Sequence, residues 1–145
     1  LIIWQCGKLY YDIYKKYISD KVKIFPFIKD MNKAYNSADY IISRSGASVI
    51  SELCFVAKPV IFIPSPNLAE DHQTKNACNV VKNNAAVMVK EKDLNKLFFS
   101  VFNKITNNKS FSDELSESIK LLAKPNATFE IVEQIKKRLK NGNKL

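Results

Sequence analysis

Short apolar runs alternate with segments of helical spacing over most of the chain before Lys90. The runs that we predict as strands are Leu1–Trp4, Val22–Phe25, Tyr40–Ile42, Val60–Ile63 and Ala86–Val89. Strands with few polar positions that alternate with helices are typical of a parallel sheet covered on both faces. The alternation therefore predicts an α/β fold, with a Rossmann-like parallel sheet and helices on both of its faces.

Apolar residues at three- and four-residue spacing mark the predicted helices. Leu9–Ile18 and Val49–Val56 have this spacing, and a third helix is marked by Ala77, Val80 and Val81. After residue 90 we predict no further strand. The helices predicted for this C-terminal tail are Asp93–Ile105, Ser112–Ala123 and Thr128–Leu139. Without a repeat or a low-complexity linker, residues 1–145 are predicted to form a single domain.

The length of the chain limits the number of domains, and the cysteines indicate the redox state of its compartment. A chain of 145 residues suits one domain with a real core. The three cysteines are widely spaced and form no CxxC pair, which favours reduced thiols and a cytoplasmic location. The chain opens on the apolar run Leu1–Trp4 without an initiator Met. We therefore expect it to be a piece of a longer protein, cut upstream of Leu1.

The net charge of +9 invites a nucleic-acid interpretation, which the type of charge argues against. Only Arg44 and Arg138 among the 23 basic residues are arginines, and the lysines are scattered along the chain. Nucleic-acid readers cluster their charge and use arginine for bidentate contacts. We expect no nucleic-acid partner. The basic run Lys136–Lys140 is either a solvated helix end or a weak contact for anionic lipid.

Ligands of open parallel sheets bind beyond the carboxyl ends of the strands, and three loops there have unusual content. The first loop, Pro26–Asp30, follows the second predicted strand. Either Phe27 and Ile28 pack on a flat ring of a ligand, or Phe27 belongs to the ordinary core.

The second loop contains small residues and leads into a helix. Arg44–Ser48 lets a ligand approach the backbone, and the free N–H groups of a helix start favour an anion. The alternative is a plain turn capped by Ser45 or Ser48. Glu52 lies close enough to accept hydrogen bonds from a sugar diol. Arg44 has a phosphate-binding or loop-bracing role, or forms a surface ion pair.

The third loop, Pro64–Ala77, brings polar groups to the next helix start. His72 is the only histidine, and it is either a hydroxyl-binding or acid–base residue or a satisfied polar residue. Its spacing from Glu70 and Asp71 does not fit a zinc site, so we predict no metal. Gln73 and Asn76, one helical turn apart, suit a polyhydroxylated ligand. No nucleophile–base–orienter set accompanies them.

Together these loops resemble a known family. Ser43–Ala47 with Ser51–Leu53, then Lys58–Pro64, then Asp71–Ala77 resemble the C-terminal domain of the MurG-type transferases, and Phe27–Met31 matches the family's loop at the uracil. These enzymes move N-acetylglucosamine from its UDP donor to undecaprenyl-diphospho-muramoyl pentapeptide, which converts lipid I to lipid II. The resemblance implies the C-terminal half of a GT-B architecture, with the acceptor bound by an N-terminal domain.

The resemblance also implies a role for each loop. The implied contacts are the Ile28 backbone for the uracil, the N–H groups of Ala47, Ser48 and Val49 for the diphosphate, Glu52 for the ribose, and His72, Gln73 and Asn76 for the sugar hydroxyls. Phe27, Arg44, Ser45 and Gly46 complete the predicted substrate-binding set. Many members carry a hydroxyl residue where Val49 stands, so only the backbone contact with phosphate is expected there.

The resemblance implies an inverting hexosyltransferase that needs neither metal nor cofactor. Its general base is expected upstream of Leu1, so we predict no catalytic residue here and an inactive isolated chain. The implied location is peripheral, on the cytoplasmic face of the plasma membrane, with a role in cell-wall biogenesis, cell shape and cell division. The alternative is a non-catalytic nucleotide-sugar-binding subunit that pairs with a separate membrane partner. A related epimerase would need catalytic carboxylates and a histidine set that the sequence lacks.

Overall fold

The computed structural model describes residues 1–66 and 71–142. Its contacts divide the chain into two compact units, Leu1–Ile41 and Ile42–Leu145, and each is described by itself. The organisation of residues 1–145 as a single domain stays a prediction.

The first unit is built on two parallel strands. Strand β1 (Ile2–Gln5) pairs with β2 (Val22–Phe25) over four residues, and Gln5 lies opposite Phe25 at the carboxyl edge. Helix α1 (Lys8–Tyr14) connects the strands and continues as a 3-10 turn through Tyr17. This β–α–β arrangement places the loop after β2 beside the end of β1.

A short helix that the sequence patterns did not predict closes the first unit. Helix α2 (Met31–Ser37) begins after Asp30, whose carboxylate accepts a hydrogen bond from Lys33 N at 3.2 Å. With only two turns, α2 carries too few apolar positions to show a helical period, but the aspartate cap fixes its start.

A three-stranded sheet in the order β3–β4–β5 belongs to the second unit, apart from its first residue, Ile41. Strands β3 (Ile41–Ser43), β4 (Val60–Phe62) and β5 (Val87–Met88) correspond to predicted strands. Central β4 is buried at all three positions and pairs in parallel with β5. Ser43 O accepts a hydrogen bond from Ile63 N at 2.8 Å, which aligns the carboxyl ends of β3 and β4.

Helices surround this sheet and extend into the C-terminal tail. They are α3 (Ala47–Val56), α4 (His72–Lys82), α5 (Leu94–Asn107), α6 (Lys109–Leu121) and α7 (Ala127–Gly142). Helix α6 packs against both α3 and α5. The fully buried side chains of the core include Leu53, Val60, Phe62, Ile105 and Ile119. The predicted α/β fold with parallel strands and a helical tail is confirmed.

The structure also describes the state of the cysteines and the apolar character of the helices. All three cysteines are free thiols, and Cys54 is buried. Within residues 1–66 and 71–142, no helix combines the length and apolar character that crossing a membrane requires.

Candidate functional site

The start of helix α3 is open to an anion. Gly46 is the N-cap residue, and no side chain caps the helix. Ile50 N donates to Gly46 O at 3.0 Å, so the N–H groups of the preceding turn, Ala47 to Val49, point out of the helix start. The alternative of a turn capped by Ser45 or Ser48 is therefore wrong. A Cβ placed on Gly46 meets nothing within 4 Å, so space lies beside the backbone here.

Ser45 does not cap α3 because it is buried and bonded elsewhere. Its Oγ donates to Gln73 O at 2.8 Å, and its own carbonyl accepts from Asn76 Nδ2 at 3.2 Å. The β3–α3 loop is thus fastened to the first turns of α4. Two loops predicted to bind parts of one ligand are held together by this pair of hydrogen bonds.

The amides of Gln73 and Asn76 each use one group to hold the loops. Gln73 Oε1 accepts from Ser65 N at 2.8 Å, and Asn76 uses Nδ2 as donor to Ser45 O. In the described hydrogen bonds, Gln73 Nε2 and Asn76 Oδ1 have no partner. One donor and one acceptor group therefore remain for hydroxyls on this helix end.

The side chain of Arg44 braces the ends of the strands. Nη1 donates to Ile63 O at 3.0 Å, and Nη2 donates to Glu91 Oε1 at 2.6 Å. Of the three sequence interpretations, the structure displays the bracing role and the ion pair together. The role of Arg44 in binding phosphate stays a prediction.

Glu52 and His72 are both exposed, in α3 and at the start of α4. Asp71, before His72, has a left-handed backbone with φ 55°. A groove of about 600 Å³ lies beside the start of α4 and is lined by Pro64, Pro66, Asp71, Thr74, Lys90, Glu91 and Lys92. Lys90 and Lys92 were not among the predicted site residues, although the loop after β5 also follows the carboxyl end of a strand.

The first unit holds the predicted base loop. The side chain of Phe27 is 61% exposed, so the interpretation that places Phe27 in the core is wrong. Ile28 N donates to Gln5 Oε1 at 2.8 Å. Sequence reasoning missed Gln5, whose only signal is its position at the carboxyl end of β1.

The side chains that could bind a metal ion are those of the aspartates, the glutamates, His72 and the cysteines. Among residues 1–66 and 71–142, no group of three or more of these side chains lies close enough to hold a metal ion. Glu70, the remaining acidic residue of the sequence argument, lies outside the described residues.

Comparisons with known proteins show the family of this chain. The family model of the glycosyltransferase family 28 C-terminal domain matches residues 1–139. The chain is 53% identical over 135 residues to the UDP-N-acetylglucosamine--N-acetylmuramyl-(pentapeptide) pyrophosphoryl-undecaprenol N-acetylglucosamine transferase of Flavobacterium psychrophilum, and 47% identical over 140 residues to the enzyme of that name from Christiangramia forsetii. These matches cover 92% and 97% of the chain, but only 37% and 38% of the relatives.

A solved structure shows the same fold. The crystal structure of Acinetobacter baumannii MurG superposes with a TM-score of 0.78 at 32% identity, over 94% of this chain and 41% of that one. The glycotransferase of kitacinnamycin superposes with a TM-score of 0.62 at 16% identity, a likeness of fold alone. The chain therefore belongs to the family of glycosyltransferase family 28 C-terminal domains.

Proposed function

We propose that this chain is the donor-binding part of an N-acetylglucosaminyltransferase. It binds UDP-N-acetylglucosamine for inverting, metal-independent transfer to undecaprenyl-diphospho-muramoyl pentapeptide, the step from lipid I to lipid II. The observation that carries the proposal is the uncapped start of α3, fastened through Ser45 to the polar start of α4. The names of the similar transferases support the choice of donor and acceptor.

The diphosphate lies at the start of α3 in this proposal. The N–H groups of Ala47, Ser48 and Val49 donate to its oxygens, and the helix dipole favours the negative charge. When the bond from the sugar to the diphosphate breaks, charge grows on the leaving UDP. Donors that are already in place stabilise that charge without a metal ion.

The two sugars of the donor contact side chains that flank the diphosphate. Glu52 accepts from the ribose hydroxyls, while His72, the amide nitrogen of Gln73 and the amide oxygen of Asn76 bind hydroxyls of N-acetylglucosamine. Arg44 holds the strand ends in register for these contacts through Ile63 and Glu91.

The other reactants come from outside this chain in the proposal. An N-terminal domain supplies the acceptor site and the general base, and the enzyme works at the cytoplasmic face of the plasma membrane in cell-wall biogenesis. No nucleic acid takes part, and the isolated chain binds the donor without turning it over.

Calorimetric titration tests the proposal. We expect the chain to bind UDP and UDP-N-acetylglucosamine, to bind UDP-glucose more weakly, and to discriminate against GDP-sugars. We expect the same titration in EDTA to give an unchanged affinity for UDP, because the dipole and the N–H groups of α3 bind the diphosphate without a metal ion. Equal affinity for UDP and GDP, or a requirement for Mg²⁺ or Mn²⁺, contradicts the proposal.

A further inference from the structure

Ser45 carries a polar side chain that is completely enclosed in the second unit. In the part of the chain that the structure describes, only Ser45 and Ser112 are buried polar residues, and Ser45 is 0% exposed. Its Oγ donates to Gln73 O at 2.8 Å. Because the hydroxyl is enclosed, a ligand beyond the strand ends does not reach it. Any effect of this hydroxyl on a ligand therefore passes through the residue that it holds.

Gln73 is held at both its backbone and its side chain. The carbonyl of Gln73 accepts from Ser45 Oγ, and its Oε1 accepts from Ser65 N at 2.8 Å. The two donors belong to the loops after β3 and β4, so two separate points fix the residue. With Oε1 bonded to a backbone N–H, the direction of the Gln73 amide nitrogen is fixed as well.

The start of α4 depends on this support, whereas the start of α3 does not. Asp71 is the N-cap residue of α4, and its side chain makes no capping hydrogen bond. The bond from Ser45 to Gln73 thus holds a helix start that has no side-chain cap of its own. At α3, Ile50 N donates to Gly46 O at 3.0 Å, a backbone contact that needs no serine hydroxyl.

Resting on the proposed function, we infer that Ser45 is a positioning residue for the sugar of the donor. Its hydroxyl holds the start of α4 so that Gln73 Nε2 points at the sugar hydroxyls. The diphosphate binds on the other side of the same loop, at the start of α3. Ser45 therefore raises the affinity for the nucleotide sugar and leaves the affinity for the nucleotide alone unchanged.

Ser45→Ala tests this inference by calorimetric titration. The variant loses the hydroxyl but keeps the backbone carbonyl that accepts from Asn76 Nδ2. We expect the affinity for UDP-N-acetylglucosamine to fall about three- to tenfold, the range for one neutral hydrogen bond, and the affinity for UDP to stay within about twofold of the parent. Ser112→Ala makes the same change at the buried serine of α6 and should leave both affinities unchanged.

A double-mutant cycle with Gln73→Ala tests whether Ser45 acts through Gln73. We expect Gln73→Ala to reduce the affinity for UDP-N-acetylglucosamine by a smaller factor in the Ser45→Ala chain than in the parent, because the two residues then share one effect. If Ser45→Ala does not fold, Ser45→Cys replaces it in both measurements. The cysteine fills the space with a weaker donor, so the same selective loss is expected at a smaller size.

The contrary outcomes are distinct. Equal losses for UDP and UDP-N-acetylglucosamine, or additive effects in the cycle, show that Ser45 only stabilises the fold, and overturn the inference. Unchanged affinities for both ligands overturn it too. A parent chain that binds no UDP overturns the proposed function itself. A parent that binds UDP-N-acetylglucosamine equally well after Gln73→Ala contradicts the proposed sugar contact, and this inference with it.

Discussion

Nothing in the fold itself requires a glycine at position 46. Its φ of −64° and ψ of 146° are open to any residue, and a Cβ there meets nothing within 4 Å. We expect Gly46→Ala to change the free energy of unfolding by less than about 0.5 kcal/mol. UDP affinity should fall about tenfold or more, because the methyl group enters the space where the diphosphate approaches the backbone. Thermal denaturation and calorimetry measure the two effects.

Gly7→Ala is the matched control for the stability measurement, because it adds the same methyl group at a glycine with a positive φ. Gly7 has φ 84°, so the same methyl group costs about 1–3 kcal/mol of stability through backbone strain. Unchanged UDP binding by Gly46→Ala contradicts the placement of the diphosphate at the start of α3.

Glu52 is expected to bind the ribose diol. With two hydrogen bonds to the carboxylate, Glu52→Ala should weaken UDP binding by roughly 2–4 kcal/mol, since each bond to a charged group contributes about 1.5–3 kcal/mol. The fold should persist because Glu52 is exposed. Calorimetry with a 2′,3′-dideoxy analogue is the control, because this ligand has no diol to lose. If the substitution weakens both ligands equally, Glu52 does not bind the diol.

The thiol of Cys54 is buried, and burial raises its pKa above the ordinary value. Thiolate is the reactive form, so we expect Cys54 to react with a thiol reagent at pH 8 far more slowly than half-buried Cys6 and Cys78. The Cys54 thiol therefore loses its proton at a lower pH in the unfolded chain than in the folded one. The contribution of Cys54 to stability is present below the pKa of the thiol in the unfolded chain, and it is lost as the pH rises through the pKa of the thiol in the folded chain. Mass-spectrometric mapping of labelled cysteines measures the rates, and equal labelling of all three is the contrary result.

At the scale of elements, one guanidinium joins three strand ends. Arg44 follows β3, Ile63 follows β4, and Glu91 follows β5. Arg44→Lys keeps the charge but loses the planar fork that serves both partners. We expect a loss of about 0.5–1 kcal/mol in unfolding free energy, small because both side chains of the ion pair are partly exposed. Denaturant titration measures it, and Lys33→Arg, at an exposed pair in α2, should be neutral.

The elements that the sequence predicted well have a dense apolar pattern. Buried β4 and the largely apolar α3 were predicted within two residues of their observed bounds. Helix α6 begins at Lys109, before the predicted start at Ser112, because the Asn108 side chain accepts from Phe111 N at 3.0 Å. A cap of this kind depends on one polar residue, so the spacing of apolar residues does not predict it.

The site was predictable in its residue types but not in its hydrogen bonds. Gln73 and Asn76 were chosen for their amides, yet each uses one amide group on the backbone, Gln73 at Ser65 of its own loop and Asn76 at Ser45 of the loop after β3. Gln5 was missed because its partner, Ile28, lies across a whole helix and strand in sequence. Such pairings depend on strand register, which only the folded sheet supplies.

At the scale of the whole molecule, the charge of +9 is a property that no single contact explains. Most lysines are exposed, so the chain attracts anions over distances set by the ionic strength. UDP carries its negative charge on the diphosphate, while uridine is neutral. We therefore expect the dissociation constant of UDP to rise several-fold, on the order of 3–10, between about 0.05 M and 0.5 M NaCl.

Uridine separates this general attraction from base recognition. Its binding depends on the base and ribose contacts alone, so we expect its dissociation constant to be nearly constant over the same range of salt. Calorimetric titrations of both ligands at four salt concentrations measure the two slopes. On the proposed function, we expect the positive charge to draw the anionic donor to the chain and the contacts of base and ribose to provide selectivity. Equal slopes for UDP and uridine would show that the net charge has no part in binding the donor.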